Sequence, residues 1–173
     1  MFGLFKKNKN TEAVGLEDPN AINSPAAGKI IPLVEVKDPL FAEEMLGKGA
    51  AVQPAVGRIV APGNGVVSTV ADTKHAIGLT LSNGAELLIH VGLDTVRLNG
   101  RFFTVHVKKG DKVRAGDLLL EFNLEQMKNE GFDVTIPVIV SNTEQYGDIQ
   151  PVLGDARELD KMLKLSPQRD SRN

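Results

Sequence analysis

The apolar residues of this chain come in short runs, and glycine, proline, asparagine or aspartate closes almost every one. Gly65–Val70, Leu118–Phe122 and Thr135–Val140 are examples, and such runs recur about every 8–12 residues. No segment carries a long stripe at helical period. A chain punctuated this way folds as many short strands, in a sandwich or a barrel, with short helical turns at most. The 17 glycines among 173 residues sit between the Val/Ile/Leu runs and fit that reading.

Ile30 to Val36 reads as an edge strand because of Pro32. Asp38 to Leu46 reads as one or two helical turns, with Asp38 as N-cap and Pro39 in the first helical position. Residues 1–27 read as a tail or linker, 28–165 as one domain and 166–173 as a frayed end, with 160–165 as a final strand. Met1 to Lys7 is apolar and then basic. It is too short for a signal peptide or a span and suits at most a weak peripheral membrane contact. The segments 61–67 and 110–117 are both turn-rich and suggest a partly duplicated β fold.

Composition removes several functions. There is no cysteine, so a thiol nucleophile, a thiolate zinc site, an iron–sulfur cluster and a disulfide framework are all excluded. A net charge of −2 calls for neither nucleic acid nor an anionic surface, and 5% aromatic residues make base stacking a poor fit.

Three histidines remain. His106 lies in an alternating run and reads as an ordinary strand residue. The other two flank Asn83-Gly84, a strong hairpin signal. With a two-residue turn there, Ile77 pairs with His90 and His75 with Gly92. His75, Ile77, Leu79 and Leu81 then share a face with Glu86, Leu88 and His90, and the imidazoles become diagonal neighbours, roughly 7–8 Å apart at the backbone. A three-residue loop would put the two on opposite faces.

Two adjacent imidazoles allow three readings. They could hold zinc, with Asp94 or Asp38 as a third ligand. They could carry a phosphoryl group, one ring attacking and the other donating to the transferring oxygens. They could also be bystanders. The surroundings favour the second reading. Gly92 lets the backbone approach, so that its carbonyl can fix one ring nitrogen of His90 and leave the other free. Thr73 and Asp94 offer a hydroxyl and a carboxylate nearby, and the apolar run from Leu87 to Leu93 suits docking of a protein.

The segment Gly84-Ala85-Glu86-Leu87-Leu88-Ile89-His90-Val91-Gly92-Leu93-Asp94-Thr95-Val96 resembles the active-site signature of the glucose-type IIA component of the bacterial sugar phosphotransferase system. Asp72-Thr73-Lys74-His75-Ala76, Phe41-Ala42-Glu43 with Gly47-Lys48-Gly49, Ala61-Pro62 with Gly65, and Thr135 to Asn142 carry the likeness further, across residues 28 to 165. It implies an antiparallel β-sandwich, a barrel-sandwich hybrid with Greek-key and jelly-roll connections. It implies a cytoplasmic phosphotransferase that needs no cofactor. His90 would accept a phosphoryl group from the histidine phosphocarrier protein and pass it to a cysteine on the IIB domain of a sugar permease.

By the same resemblance His75 is the stabiliser, with Thr73 and Asp94 in support. Asp38, Leu40, Phe41, Met45, Leu46, Leu88 and Val96 form the partner surface. Regulatory targets could use that surface too, and zinc at His75 and His90 would need a ligand from such a partner. With no permease segment in the chain, service to several permeases is expected. Two departures stand out. Ala71 and Gly78 replace larger apolar residues and thin the docking ring, and the sequence after Gln150 is unlike the usual ending. Gly110 to Leu119 also resembles a turn of biotinyl and lipoyl carriers, but Met127-Lys128 is a poor carrier site. Lysostaphin-like zinc peptidases need a His-x-His pair, which is missing around His106.

Overall fold

The computed structural model describes residues 18–169. The apolar-then-basic stretch at residues 1–7 lies outside the described residues. Among the described residues fourteen strands pair antiparallel throughout, joined by two short α-helices and three turns of 3-10 helix. The large sheet runs in the order β13 (Gly154–Ala156), β2 (Gly28–Pro32), β3 (Lys48–Pro54), β11 (Ile136–Val140), β7 (Glu86–His90), β6 (Ala76–Leu81), β5 (Gly65–Val70), β9 (Lys112–Val113). Two three-stranded sheets complete the sandwich. One is β1 (Ala21–Asn23), β14 (Lys161–Pro167) and β12 (Tyr146–Pro151). The other is β4 (Arg58–Val60), β10 (Leu118–Phe122) and β8 (Phe103–Val105). The late strand β11 returns to lie between β3 and β7, a long-range connection of the Greek-key kind.

Both faces of the large sheet are covered around β2, β3 and β11, and this explains their unbroken apolar runs. Ile30, Ala50, Val52, Val138 and Val140 point into the main core. Their neighbours Ile31, Ala51 and Ile139 point the other way, into a second, smaller cluster with Leu33, Val36, Phe41 and Leu93. Every residue of β11 is buried. Helix α1 (Pro39–Ala42) roofs the small cluster. Asp38 caps it as expected, its Oδ1 accepting the Leu40 N–H at 3.0 Å.

Several boundaries differ from the sequence reading. The expected edge strand over 30–36 ends at Pro32 and continues as 3-10 helix, Leu33–Glu35. Leu33 and Val36 enter the small cluster while Val34 is 75% exposed, a spacing of three that a strand cannot supply. Nor is β2 an edge: short β13 lies outside it. The tail expected to reach residue 27 already enters the fold, since Ala21 and Ile22 are buried and β1 pairs with β14. The final strand is real and extends through Pro167, two residues into the expected frayed end. The turn-rich segments 61–67 and 110–117 pair with each other, Gly65 opposite Val113. Helix α2 (Leu124–Asn129), capped by Asn123, adds one short helix.

The central hairpin has a three-residue loop, not a two-residue turn. Leu81 N–H donates to the Ala85 carbonyl at 2.9 Å, and Gly84 N–H donates back to Leu81 O at 2.9 Å. Gly84, at φ 94, supplies the left-handed position that closes such a loop. The register therefore shifts by one: Ala76 faces His90, Gly78 faces Leu88 and Thr80 faces Glu86. Ile77, Leu79 and Leu81 share the core side with Leu87 and Ile89. His90, Leu88 and Glu86 stand on the outer face, not with Ile77 and Leu79 as the two-residue turn implied.

Candidate functional site

A three-residue loop should have separated the histidines, yet their rings meet. The reason lies outside the pleat, which begins only at Ala76. His75 sits in a tight turn in which Lys74 adopts φ 65, Lys74 N–H donates to Ala71 O at 2.8 Å and Ala71 N–H to Ala76 O at 3.0 Å. The turn swings His75 off the core side. Its ring centroid lies 4.9 Å from that of His90, at an interplanar angle of 79°. The backbones stay tied, with Val91 N–H donating to His75 O at 2.7 Å.

Each ring is held by one nitrogen. Nδ1 of His90 lies 2.7 Å from the Gly92 carbonyl. A carbonyl only accepts, so Nδ1 carries the proton and Nε2 presents its lone pair. Nδ1 of His75 lies 2.8 Å from the Thr73 hydroxyl. Phe41 packs beneath His90, centroids 5.1 Å apart. Burial pushes the His90 pKa below its ordinary 6.5, against the opposing pull of the Gly92 carbonyl and the Asp38 charge. Burial and the neighbouring His90 charge push His75 down as well, opposed by a contact with the Thr73 backbone. Both shifts favour the neutral rings at neutral pH.

A pH profile follows from that sign. If neutral His90 is the reactive form, its rate of modification stays flat as pH falls through 6.5 and declines tenfold per unit only below its depressed pKa. The same linkage acts on stability. The unfolded chain takes up these protons near 6.5 and the folded chain does not, so stability is lost as pH drops from 6.5 towards the folded values. An NMR titration of the two rings checks both statements, and midpoints at or above 6.5 would contradict them.

The other expected residues divide. Leu40, Met45, Leu46 and Val96 are exposed and Leu88 is half-buried. Phe41 is only 1% exposed, so it floors His90 and cannot itself meet a partner. Asp38 acts on His90 through its charge and caps α1. Asp94 turns away from the expected supporting role: its carboxylate pairs with Arg97 at 2.8 Å on the exposed side. Among the described residues no group of three or more His, Cys, Asp or Glu side chains could hold a metal, so the third zinc ligand sought at Asp38 or Asp94 is not in place. His106 is an exposed side chain 2.8 Å from Glu121, remote in role from the pair. No helix among the described residues is long and apolar enough to cross a membrane.

Thr95 escaped the sequence reading. It is fully buried, and its hydroxyl donates to the Val91 carbonyl at 2.6 Å, locking the peptide that precedes Gly92. The available signal was a hydroxyl residue directly after the Gly92-Leu93-Asp94 turn, inside an apolar stretch.

An antiparallel sandwich that holds two imidazoles edge to face, one over Phe41 and each tied by Nδ1, defines a histidine-centred site. Residues 20–146 match the family described as phosphoenolpyruvate-dependent sugar phosphotransferase system, EIIA 1, and the chain belongs to that family. It is 46% identical over 145 residues to the glucose-specific EIIA component of Halalkalibacterium halodurans, covering 84% of this chain and 83% of that one. It is 50% identical over 147 residues to the beta-glucoside-specific EIIBCA component of Bacillus subtilis, covering 84% of this chain. The chain spans only 24% of that longer relative. The solved glucose permease IIA from Mycoplasma capricolum superposes with a TM-score of 0.77 at 34% identity, covering 83% of this chain and 93% of the other.

Proposed function

We propose that the protein is a cytoplasmic phosphocarrier that works through His90. The observation that carries this reading is the bond from His90 Nδ1 to the Gly92 carbonyl, which leaves Nε2 free beside a second imidazole. The Nε2 lone pair attacks phosphorus on the phosphohistidine of the histidine phosphocarrier protein. A new N–P bond forms, the donor's N–P bond breaks, and the donor ring leaves with its electron pair as a neutral imidazole. His90 keeps its Nδ1 proton on Gly92, so no proton changes owner.

Charge builds on the three transferring oxygens in this step. In this reading the Thr73 hydroxyl, 2.8 Å away, donates to Nδ1 of His75, which places the proton of that ring on Nε2 and makes it a donor to those oxygens. The second transfer runs the same way: a cysteine thiolate on the IIB domain of a sugar permease attacks phosphorus and His90 leaves as a neutral ring. Family membership and the fusion of EIIA with IIB and IIC segments in relatives support that partner. In this reading Leu40, Met45, Leu46, Leu88 and Val96 face the partner, exclude water while the proteins are in contact and so protect the N–P bond from hydrolysis.

The two transfers make different demands on His75, and this provides the test. In His75→Gln the amide still donates one hydrogen bond, so uptake from labelled phosphocarrier protein should fall only a few-fold. Delivery to the IIB cysteine brings an anionic thiolate against the charged phosphoryl group, which an imidazole can offset by taking up a proton and a neutral amide cannot, so it should fall by about a hundredfold. Equal losses in both steps, or none, would overturn the assigned role of His75.

A further inference from the structure

Successive peptide groups lead from His90 to Leu93, and each is tethered to a different part of the chain. The first donates its Val91 N–H to the His75 carbonyl at 2.7 Å. The second offers its Val91 carbonyl to the Thr95 hydroxyl at 2.6 Å. The third carries the Gly92 carbonyl that holds Nδ1 of His90, and its Leu93 N–H donates to the Asp133 carbonyl at 2.9 Å. Asp133 is steadied in turn, its Oδ1 accepting the Thr135 N–H at 2.9 Å.

The outer tethers join backbone to backbone and need no particular side chain. The middle one does. Among the described residues no backbone N–H donates to the Val91 carbonyl, so the Thr95 hydroxyl alone satisfies it. Val91 and Thr95 are both fully buried, and water cannot take the place of that donor. Without it the second peptide would turn in search of a partner. Its neighbour across the turn is Gly92, at φ 82, which has no Cβ to resist the rotation. Rotation at Gly92 moves its carbonyl off Nδ1. The Thr95 methyl group does a different job, packing against Gly92: a Cβ built there would stand 2.5 Å from Thr95 Cγ2.

We propose that the Thr95 hydroxyl is a positioning group for phosphoryl transfer. It sets the Gly92 carbonyl, and through that carbonyl the tautomer and the aim of the His90 ring, without meeting either partner protein. A ring released from Gly92 divides its proton between Nδ1 and Nε2, and only the form with Nε2 bare can attack. The released ring also swings over Phe41, and a small misplacement of a reacting atom is costly in rate. The effect on rate rests on the phosphocarrier reading. The effect on the ring does not.

The test separates the hydroxyl from the methyl group. Thr95→Val keeps the shape and loses the hydroxyl, whereas Thr95→Ser keeps the hydroxyl and loses the methyl. Each is compared with the parent for uptake from the phosphorylated histidine phosphocarrier protein, and by nitrogen NMR of the His90 ring. Thr95→Val should lower kcat at least about tenfold. Its KM for the donor protein should stay within about twofold, because a fully buried side chain does not meet that donor. Its two ring-nitrogen signals, far apart in the parent, should draw together as the tautomers mix. Thr95→Ser should stay within about threefold of the parent rate and keep the parent's ring signals. A Thr95→Val with parent rate and ring signals would overturn the proposal. So would a Thr95→Ser as slow as Thr95→Val, which would assign the effect to packing, or a raised KM at unchanged kcat, which would assign it to docking. If Thr95→Val does not fold, Thr95→Cys is set against Thr95→Ser, which it matches in shape: the weak S–H donor should leave it slower and its ring signals closer together, and equal behaviour would overturn the proposal. No uptake by the parent from an active donor would remove the phosphocarrier reading, and the role in transfer with it, whatever the ring signals show.

Discussion

His90→Gln is expected to take up no phosphoryl group from the phosphocarrier protein, with a loss of at least about four orders of magnitude, while folding as the parent does. The loss is total in practice because an amide has no nucleophilic lone pair at the position of Nε2, and His75 cannot substitute. The Thr73 hydroxyl lies 2.8 Å from Nδ1 of His75, the ring sits edge-on to His90, and on the proposed mechanism its other nitrogen serves as donor. Stability should be little changed, within about 1 kcal/mol, since glutamine keeps most of the volume over Phe41 and His90 is only half-buried. The check is the labelled-phosphate uptake rate beside the urea midpoint. Retained uptake in a folded variant would remove His90 from the mechanism.

Gly92→Ala should have the second largest effect, on stability and transfer together. Gly92 sits at φ 82, where a Cβ costs about 1–2 kcal/mol. That Cβ would also stand 2.5 Å from Thr95 Cγ2 and 3.1 Å from the Asp133 carbonyl, and overpacking of this kind costs about 1–3 kcal/mol more. Thr95 has no room to yield, because its hydroxyl is committed to Val91 and the side chain is fully buried. Leu93 N–H is likewise tied to Asp133 O at 2.9 Å. The loop would therefore shift and carry the Gly92 carbonyl away from Nδ1. The expected result is a lower urea midpoint together with at least about tenfold slower uptake in the fraction that remains folded, since a nucleophilic ring without its Nδ1 partner loses its tautomer control. A midpoint and a rate both equal to the parent's would contradict this account of the loop.

Much of the site was legible because its chemistry is carried by local sequence. His90, the bend at Gly92 and the hydroxyl of Thr73 lie within a few residues of what they act on, so spacing alone brings them together. The strands were legible for the same reason: apolar runs between turn residues mark them one by one. Register was not. Asn83-Gly84 fits both a two-residue turn and the three-residue loop observed, and one residue of slip exchanges the two faces. The histidines meet only because the turn from Ala71 to His75 breaks the alternation, a property of Lys74 in a left-handed conformation that its side chain does not advertise.

Phe41 was misjudged on similar grounds. An exposed and a buried aromatic look alike in a helical turn, and only the second cluster beneath α1 decides between them. The strand β1 was hidden because its partner β14 lies at the opposite end of the chain, and its last residue Asn23 and the following Ser24 and Pro25 read as linker residues.

The most direct measurement is the intact mass of the protein after incubation with phosphoenolpyruvate and the two general phosphotransferase proteins, followed by parallel acid and alkali treatment. The account predicts a gain of one phosphoryl group, lost in acid, kept in alkali and absent from His90→Gln. No gain with active donors, or a gain that survives acid or persists in His90→Gln, would contradict it.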